Sequence, residues 1–139
     1  MQKVVIDTNV IVSSLIQKSF PYKIINELFI ENMICLCVSE KLMMEYYDVL
    51  RRPKFAAYYN FVLRAESLLA NIEEKAIMYH PLISLDIISD KDDNKILELA
   101  DACIADYIIT GNTNDFTFST YKNTQIVTPK DYWLLFEMY

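Results

Sequence analysis

The 139-residue chain has the length of one domain, and its 53% apolar composition supplies enough side chains for a packed core. One Gly and four Pro leave no flexible linker, so residues 1–139 are expected to form a single unit. A net charge of −6 argues against broad, sequence-independent nucleic-acid binding, which rests on Lys and Arg neutralising phosphates. An acidic site, however, counts as negative only until cations are bound to it.

Lys3-Val4-Val5-Ile6 opens the chain as a short continuous apolar run ending at Asp7, the pattern of a strand covered on both faces. Nothing here has the apolar stretch and small-residue cleavage site of a secretion signal, and no segment approaches the ~20 apolar residues of a membrane helix. A helix is expected near Val10–Gln17. Pro21 suits the first turn of a second, through about Asn32. Met33–Val38 reads as a second buried strand, and Ser39 as the N-cap of a helix to about Arg51. Pro53 interrupts it; Phe55–Leu63 and Ala65–Tyr79 read as two further helices, and Leu82–Leu85 as a short extended piece. SDKDDN opens a helix at about Asp93–Ile104. Asp106–Thr110 is a third strong strand, turning at Gly111, and Gln125–Val127 a fourth, after which Pro129 starts a terminal helix. Its aromatic residues Tyr132, Trp133, Phe136 and Tyr139 are expected to pack on the sheet, a dimer face being the other use. Strands separated by helices pair in parallel, so the expected fold is a three-layer α/β/α sandwich around a mainly parallel central sheet. Cys35, Cys37 and Cys103 are expected to be buried free thiols of a cytoplasmic protein. Zinc is not expected, with His80, a loop residue beside Pro81, the only histidine.

Ligands of open parallel sheets bind beyond the carboxyl ends of the strands, which directs attention to the residues just after each one. Asp7-Thr8-Asn9 stands there, although Asp7 or Asn9 would also serve as a helix cap. On a helical wheel of ~100° per residue, Leu42, Met43, Tyr46, Val49 and Leu50 share one arc with Glu45 at its edge. A carboxylate so placed needs a cation or hydrogen bonds. Asp93 falls at the centre of the stripe formed by Ile96, Leu97, Ala100 and Ile104, where a first-turn preference for acids explains its position but not its direction. Asp90 is a good N-cap, while Asp92, Glu40 and Asp48 face solvent. In Thr110–Phe116, Asn112 offers an amide oxygen and Asp115 a carboxylate; the same residues are also ordinary turn formers, with Gly111 supplying a positive φ or a close backbone approach. Asn9, Thr110 and Asp90 complete the set as candidate substrate-positioning residues. Arg51-Arg52-Pro53-Lys54 reads first as a solvated helix end and second as a phosphate contact.

Carboxylates gathered at one point recruit hard cations such as Mg²⁺ or Mn²⁺, which activate water and stabilise charge during phosphodiester hydrolysis. Asp7 in VIDTNV, Glu45 in VSEKLMMEYYDVL, Asp93 in SDKDDNKILELA, and ADYIITGNTNDF together resemble the PIN domain, in particular the branch of toxin components of toxin–antitoxin systems. The resemblance runs over nearly the whole chain, including Leu-Arg-Arg-Pro-Lys and the closing Ile-Val-Thr-Pro. It implies a Mg²⁺- or Mn²⁺-dependent endoribonuclease acting on RNA, usually a homodimer, held inactive by a cognate antitoxin. Metal-site roles then fall on Asp7, Glu45 and Asp93, with Asn112 where such domains commonly carry Asp, and Asp115 three residues on. Two other readings are open: a phosphatase of the haloacid-dehalogenase type, whose Asp-x-Asp is here Asp7-Thr8-Asn9, and a PIN-like module that binds a partner protein or RNA without cutting it.

Overall fold

A computed structural model describes residues 1–84, 91–112, 116 and 118–138; the candidates Asp90 and Asp115 lie outside them. The chain begins with β1 (Lys3–Ile6), α1 (Thr8–Ile16) and α2 (Phe20–Lys23), the last continuing into a wider π-type turn at Ile24–Phe29. Next come β2 (Cys35–Val38), α3 (Glu40–Leu50), a 3₁₀ turn at Pro53–Ala57, α4 (Phe61–Lys75) and the two-residue strand β3 (Ile77–Met78). The second half holds α5 (Lys91–Cys103), β4 (Tyr107–Ile109), the hairpin β5 (Thr120–Tyr121) and β6 (Thr124–Val127), and α6 (Pro129–Glu137).

The strands form one sheet in the order β3-β2-β1-β4-β6-β5, parallel throughout except for β5, which runs antiparallel to β6. Consecutive residues of a strand point to opposite faces, and Val4, Val5 and Ile6 are all fully buried. Both faces are therefore covered, and the fold is the expected three-layer α/β/α sandwich with a mainly parallel sheet. α5 packs across β1, β2 and β4. Ser39 caps α3 as expected, its Oγ accepting the Leu42 N–H at 3.2 Å.

Several local expectations are corrected. The stretch after Pro53 is one tight turn and one long helix: Asn60 takes a left-handed φ of 55° at the head of α4, so Phe55–Tyr59 precede the helix. The strand beside β2 at one edge is Ile77–Met78; of the expected extended piece Leu82–Leu85, residues 82–84 pair with no strand among the described residues, and Leu85 lies outside these. Gly111 has no positive φ, and among the described residues a Cβ there would meet nothing within 4 Å. The bend needs no glycine because the Thr110 hydroxyl accepts the Asn112 N–H at 3.1 Å, closing the turn with a side chain. Ile104 is exposed with a φ of 53°, ending α5 rather than lining its core face. Among the described residues no helix is long and apolar enough to cross a membrane.

Candidate functional site

The chain leaves β1 toward β2 and β3 on one side and later returns to add β4 and β6 on the other. The strand order thus switches direction between β1 and β4, where a crevice opens beyond the carboxyl ends of a parallel sheet. Asp7 follows β1 and Thr110 follows β4 at this point, with the Asp7 N–H bonded to the Ile109 carbonyl at 3.0 Å. Thr110 Oγ1 donates to Asp7 Oδ2 at 2.8 Å, joining the two strand ends through side chains. Asp7 stands at the N-cap position of α1 but makes no side-chain capping bond, so the capping explanation of this residue fails. The residue is only 6% exposed. Burial pushes its pKa up, the Thr110 hydrogen bond pulls against that, and the charge of Glu45 raises it further.

α3 brings Glu45 to the same place. The fully buried Tyr46 donates its hydroxyl to the Ile6 carbonyl, tying α3 to the end of β1. One residue earlier, Glu45 Oε2 accepts the Thr8 hydroxyl, and Glu45 Oε1 pairs with Lys95 Nζ of α5 at 2.8 Å. The wheel puts Glu45 at the edge of a buried arc, in need of a cation or hydrogen bonds; the structure supplies both. Asp93, in the first turn of α5, is partly buried beside a face in which Ile96, Leu97, Leu99, Ala100 and Cys103 are buried.

Asp7, Glu45, Asp93 and Asn112 line one cavity of about 270 Å³, together with Thr8, Asn9, Arg52, Lys54 and Phe55. Asn9 and Asn112 are exposed at its mouth, whereas Thr110 is fully buried beneath it. Sequence reasoning misses Thr8 and Lys95, since neither belongs to a local pattern that points at Glu45, 37 and 50 residues away. It also reads Arg52 and Lys54 first as a solvated helix end.

The lining donors are hard oxygens, which suit Mg²⁺ or Mn²⁺ rather than a soft or nitrogen-seeking ion. Among the described residues no three carboxylates or other His/Cys donors come close enough together to form a closed cage. That is compatible with Mg²⁺, which is usually held by one or two carboxylates and keeps the rest of its shell for water and substrate phosphate. Asp7, whose negative form is disfavoured by burial and by Glu45, is a group that a cation would relieve.

A parallel α/β/α sandwich with carboxylates at its switch point defines an acidic-site α/β domain. Within that class a family model described as a PIN domain matches residues 3–114, and the chain belongs to the PIN domain family. The chain is similar to Uncharacterized protein MJ1680 of Methanocaldococcus jannaschii, with 29% identity over 146 aligned positions covering 99% of this chain and 93% of that protein. Its fold is similar to a chain in the crystal structure of VapBC2 from Rickettsia felis bound to a DNA fragment from their promoter. The TM-score is 0.58 at 16% identity, over 91% of this chain and 98% of the other.

Proposed function

We propose that this PIN domain is a Mg²⁺- or Mn²⁺-dependent endoribonuclease that hydrolyses RNA phosphodiester bonds. The observation that carries the reading is the cavity at the β1/β4 switch point, lined at once by Asp7, Glu45, Asp93 and Asn112. In this reading Asp7, Glu45 and Asp93 are the metal-holding carboxylates, acting directly or through the waters that such an ion keeps, and Asn112 contributes a neutral oxygen. Asp115, outside the described residues, is the second candidate for that fourth place. A divalent ion held there supplies an activated water and neutralises charge on the attacked phosphate. The chain's own part is to keep these oxygens in place: Thr110 orients the Asp7 carboxylate, and Thr8 with Lys95 orients that of Glu45. Asn9 and Asn112, at the exposed mouth, are placed to meet the strand.

The setting we infer is a cytoplasmic toxin–antitoxin pair, with a homodimeric toxin restrained by its cognate antitoxin. The family membership and the likeness of fold to VapBC2 support the antitoxin pairing. Asp7→Asn is expected to abolish Mn²⁺-dependent cleavage of RNA while leaving the far-ultraviolet circular dichroism unchanged. Undiminished cleavage by the folded variant would overturn the assignment.

One observation favours the binding module without cleavage: Lys95 already neutralises Glu45, and Asn112 brings no charge. Calorimetric titration separates the two readings. The nuclease binds Mn²⁺ with an affinity that falls in Asp7→Asn; a module with a dead site shows no Asp7-dependent binding.

A further inference from the structure

The acidic cavity has a cationic wall. Arg52 and Lys54 line it opposite in charge to Asp7, Glu45 and Asp93, the other charged lining residues among those described. Their backbone is firmly held. Arg52 is extended, with ψ at 134°, as a residue before proline prefers, and Pro53 then opens the 3₁₀ turn. The turn is closed by Phe55 N–H to the Arg52 carbonyl and Tyr58 N–H to the Phe55 carbonyl, both at 3.1 Å. The Phe55 ring stacks on Phe61 with centroids 5.1 Å apart, anchoring the turn to the head of α4.

Local partners leave the two charges available. Arg52 meets Asp48 one helical turn back at 3.0 Å, with side chains 49% and 72% exposed, a pairing of little energetic weight. Lys54 lies over the Phe55 ring at 5.1 Å. Glu45 takes its hydrogen bonds from Thr8 and Lys95 instead. A polyanion approaching this chain meets a net charge of −6 and, in the cavity, the carboxylates of Asp7, Glu45 and Asp93. Cations at the mouth are what admit a phosphate backbone to such a place.

We propose that Arg52 and Lys54 form the phosphate-binding wall of the site, holding the RNA backbone on one side of the bond to be cut. The inference rests on the ribonuclease reading and adds to it the residues that seat the substrate. Arg52 brings a planar fork that matches two phosphate oxygens, and Lys54 a mobile point charge. Both are positioning residues, assigned to backbone phosphates and not to the reacting atoms.

The test compares the double variant Arg52→Gln/Lys54→Gln with wild type and with Lys130→Gln, which removes an exposed cation on α6 outside the cavity. Binding of a short labelled single-stranded RNA is measured by fluorescence anisotropy in EDTA over a range of salt, and cleavage kinetics are measured in Mn²⁺. The double variant is expected to bind roughly tenfold more weakly at low salt, and its slope of log Kd against log salt to fall by about 1.4, about 0.7 for each phosphate that is no longer neutralised. Its KM rises while kcat is retained, as for groups that hold substrate and transition state equally. A slope and Kd matching those of Lys130→Gln would overturn the proposal, even with cleavage intact in all three proteins. If wild type cleaves no RNA in Mn²⁺, the ribonuclease reading fails, and the salt slope still decides whether these two residues hold phosphates. Both side chains are exposed, so loss of folding does not confuse the result.

Discussion

The Asp7 carboxyl accepts the Thr110 hydroxyl at 2.8 Å, yet burial outweighs that bond and lifts its pKa above the ordinary 3.8. A carboxyl whose folded pKa exceeds its unfolded value keeps a proton that the unfolded chain releases. Its stability contribution is therefore intact below the unfolded pKa and is lost as pH rises through the folded one. In EDTA, Asp7→Asn should melt above wild type at neutral pH, and the difference should shrink toward pH 4, about the ordinary carboxyl value. Thermal denaturation at the two pH values checks this; a variant that melts below wild type at neutral pH contradicts it. Mn²⁺ should then restore wild type alone, by about 2.7 kcal/mol at a concentration 100-fold over Kd. The cost at Asp7 is thus the counterpart of its proposed use, a carboxylate held out of water until the ion arrives. At this scale the sequence is readable where a carboxylate falls on or beside an apolar face, as with Glu45 and Asp93. It is not readable where the partner comes from far along the chain: Thr8 and Lys95 reach Glu45 only because α1, α3 and α5 meet above the end of β1.

Elements with their own chemistry at the boundary are legible. Ser39 and Thr128 cap α3 and α6 through their hydroxyls, and Pro129 occupies the first turn it suits. Ser39→Ala should cost about 1 kcal/mol in urea denaturation, the usual value of a capping hydroxyl. Because α3 carries Glu45, the same variant should weaken Mn²⁺ binding if fraying of the first turn reaches it; unchanged stability would show that the Leu42 N–H finds another acceptor. β1, β2 and β4 are visible as apolar runs because both faces are buried; β6 is marked only by Ile126-Val127, since its Gln125 is exposed between buried Thr124 and Ile126. The elements that escape lack such marks. β3 is two exposed residues, Ile77 and Met78, too short for any periodicity. β5 and β6 are joined by a turn whose left-handed residue is Lys122, with φ at 52°, where a glycine would have announced a hairpin. The helix that the sequence predicts over Phe55–Leu63 has good local propensity at Ala56 and Ala57, and tertiary packing of Phe55 on Phe61 overrides it.

At the scale of the whole molecule, the family match ends at residue 114, yet the sheet does not. β6 pairs with β4 along Tyr107–Ile109, and so supports the strand from which Thr110 reaches Asp7. α6 closes over this side of the sheet through Tyr132, fully buried, whose ring meets the edge of Tyr107 with centroids 5.1 Å apart. The Tyr132 hydroxyl donates to the Gln2 side chain at 2.7 Å, linking the last helix to the residue before the first strand. Packing and hydrogen bond can be separated. Tyr132→Phe keeps the aromatic contact and should cost about 1 kcal/mol, the net value of one hydrogen bond. Tyr132→Ala opens a cavity between α6 and β4 and should cost about 3–5 kcal/mol, as for other large aromatic truncations. Urea unfolding followed by circular dichroism measures both. With Tyr132→Ala the Mn²⁺ affinity should also fall, since a loosened β4 no longer holds Thr110 against Asp7. A cost near that of Tyr132→Phe, with metal binding unchanged, would mean that α6 is an appendage to the site rather than part of its support.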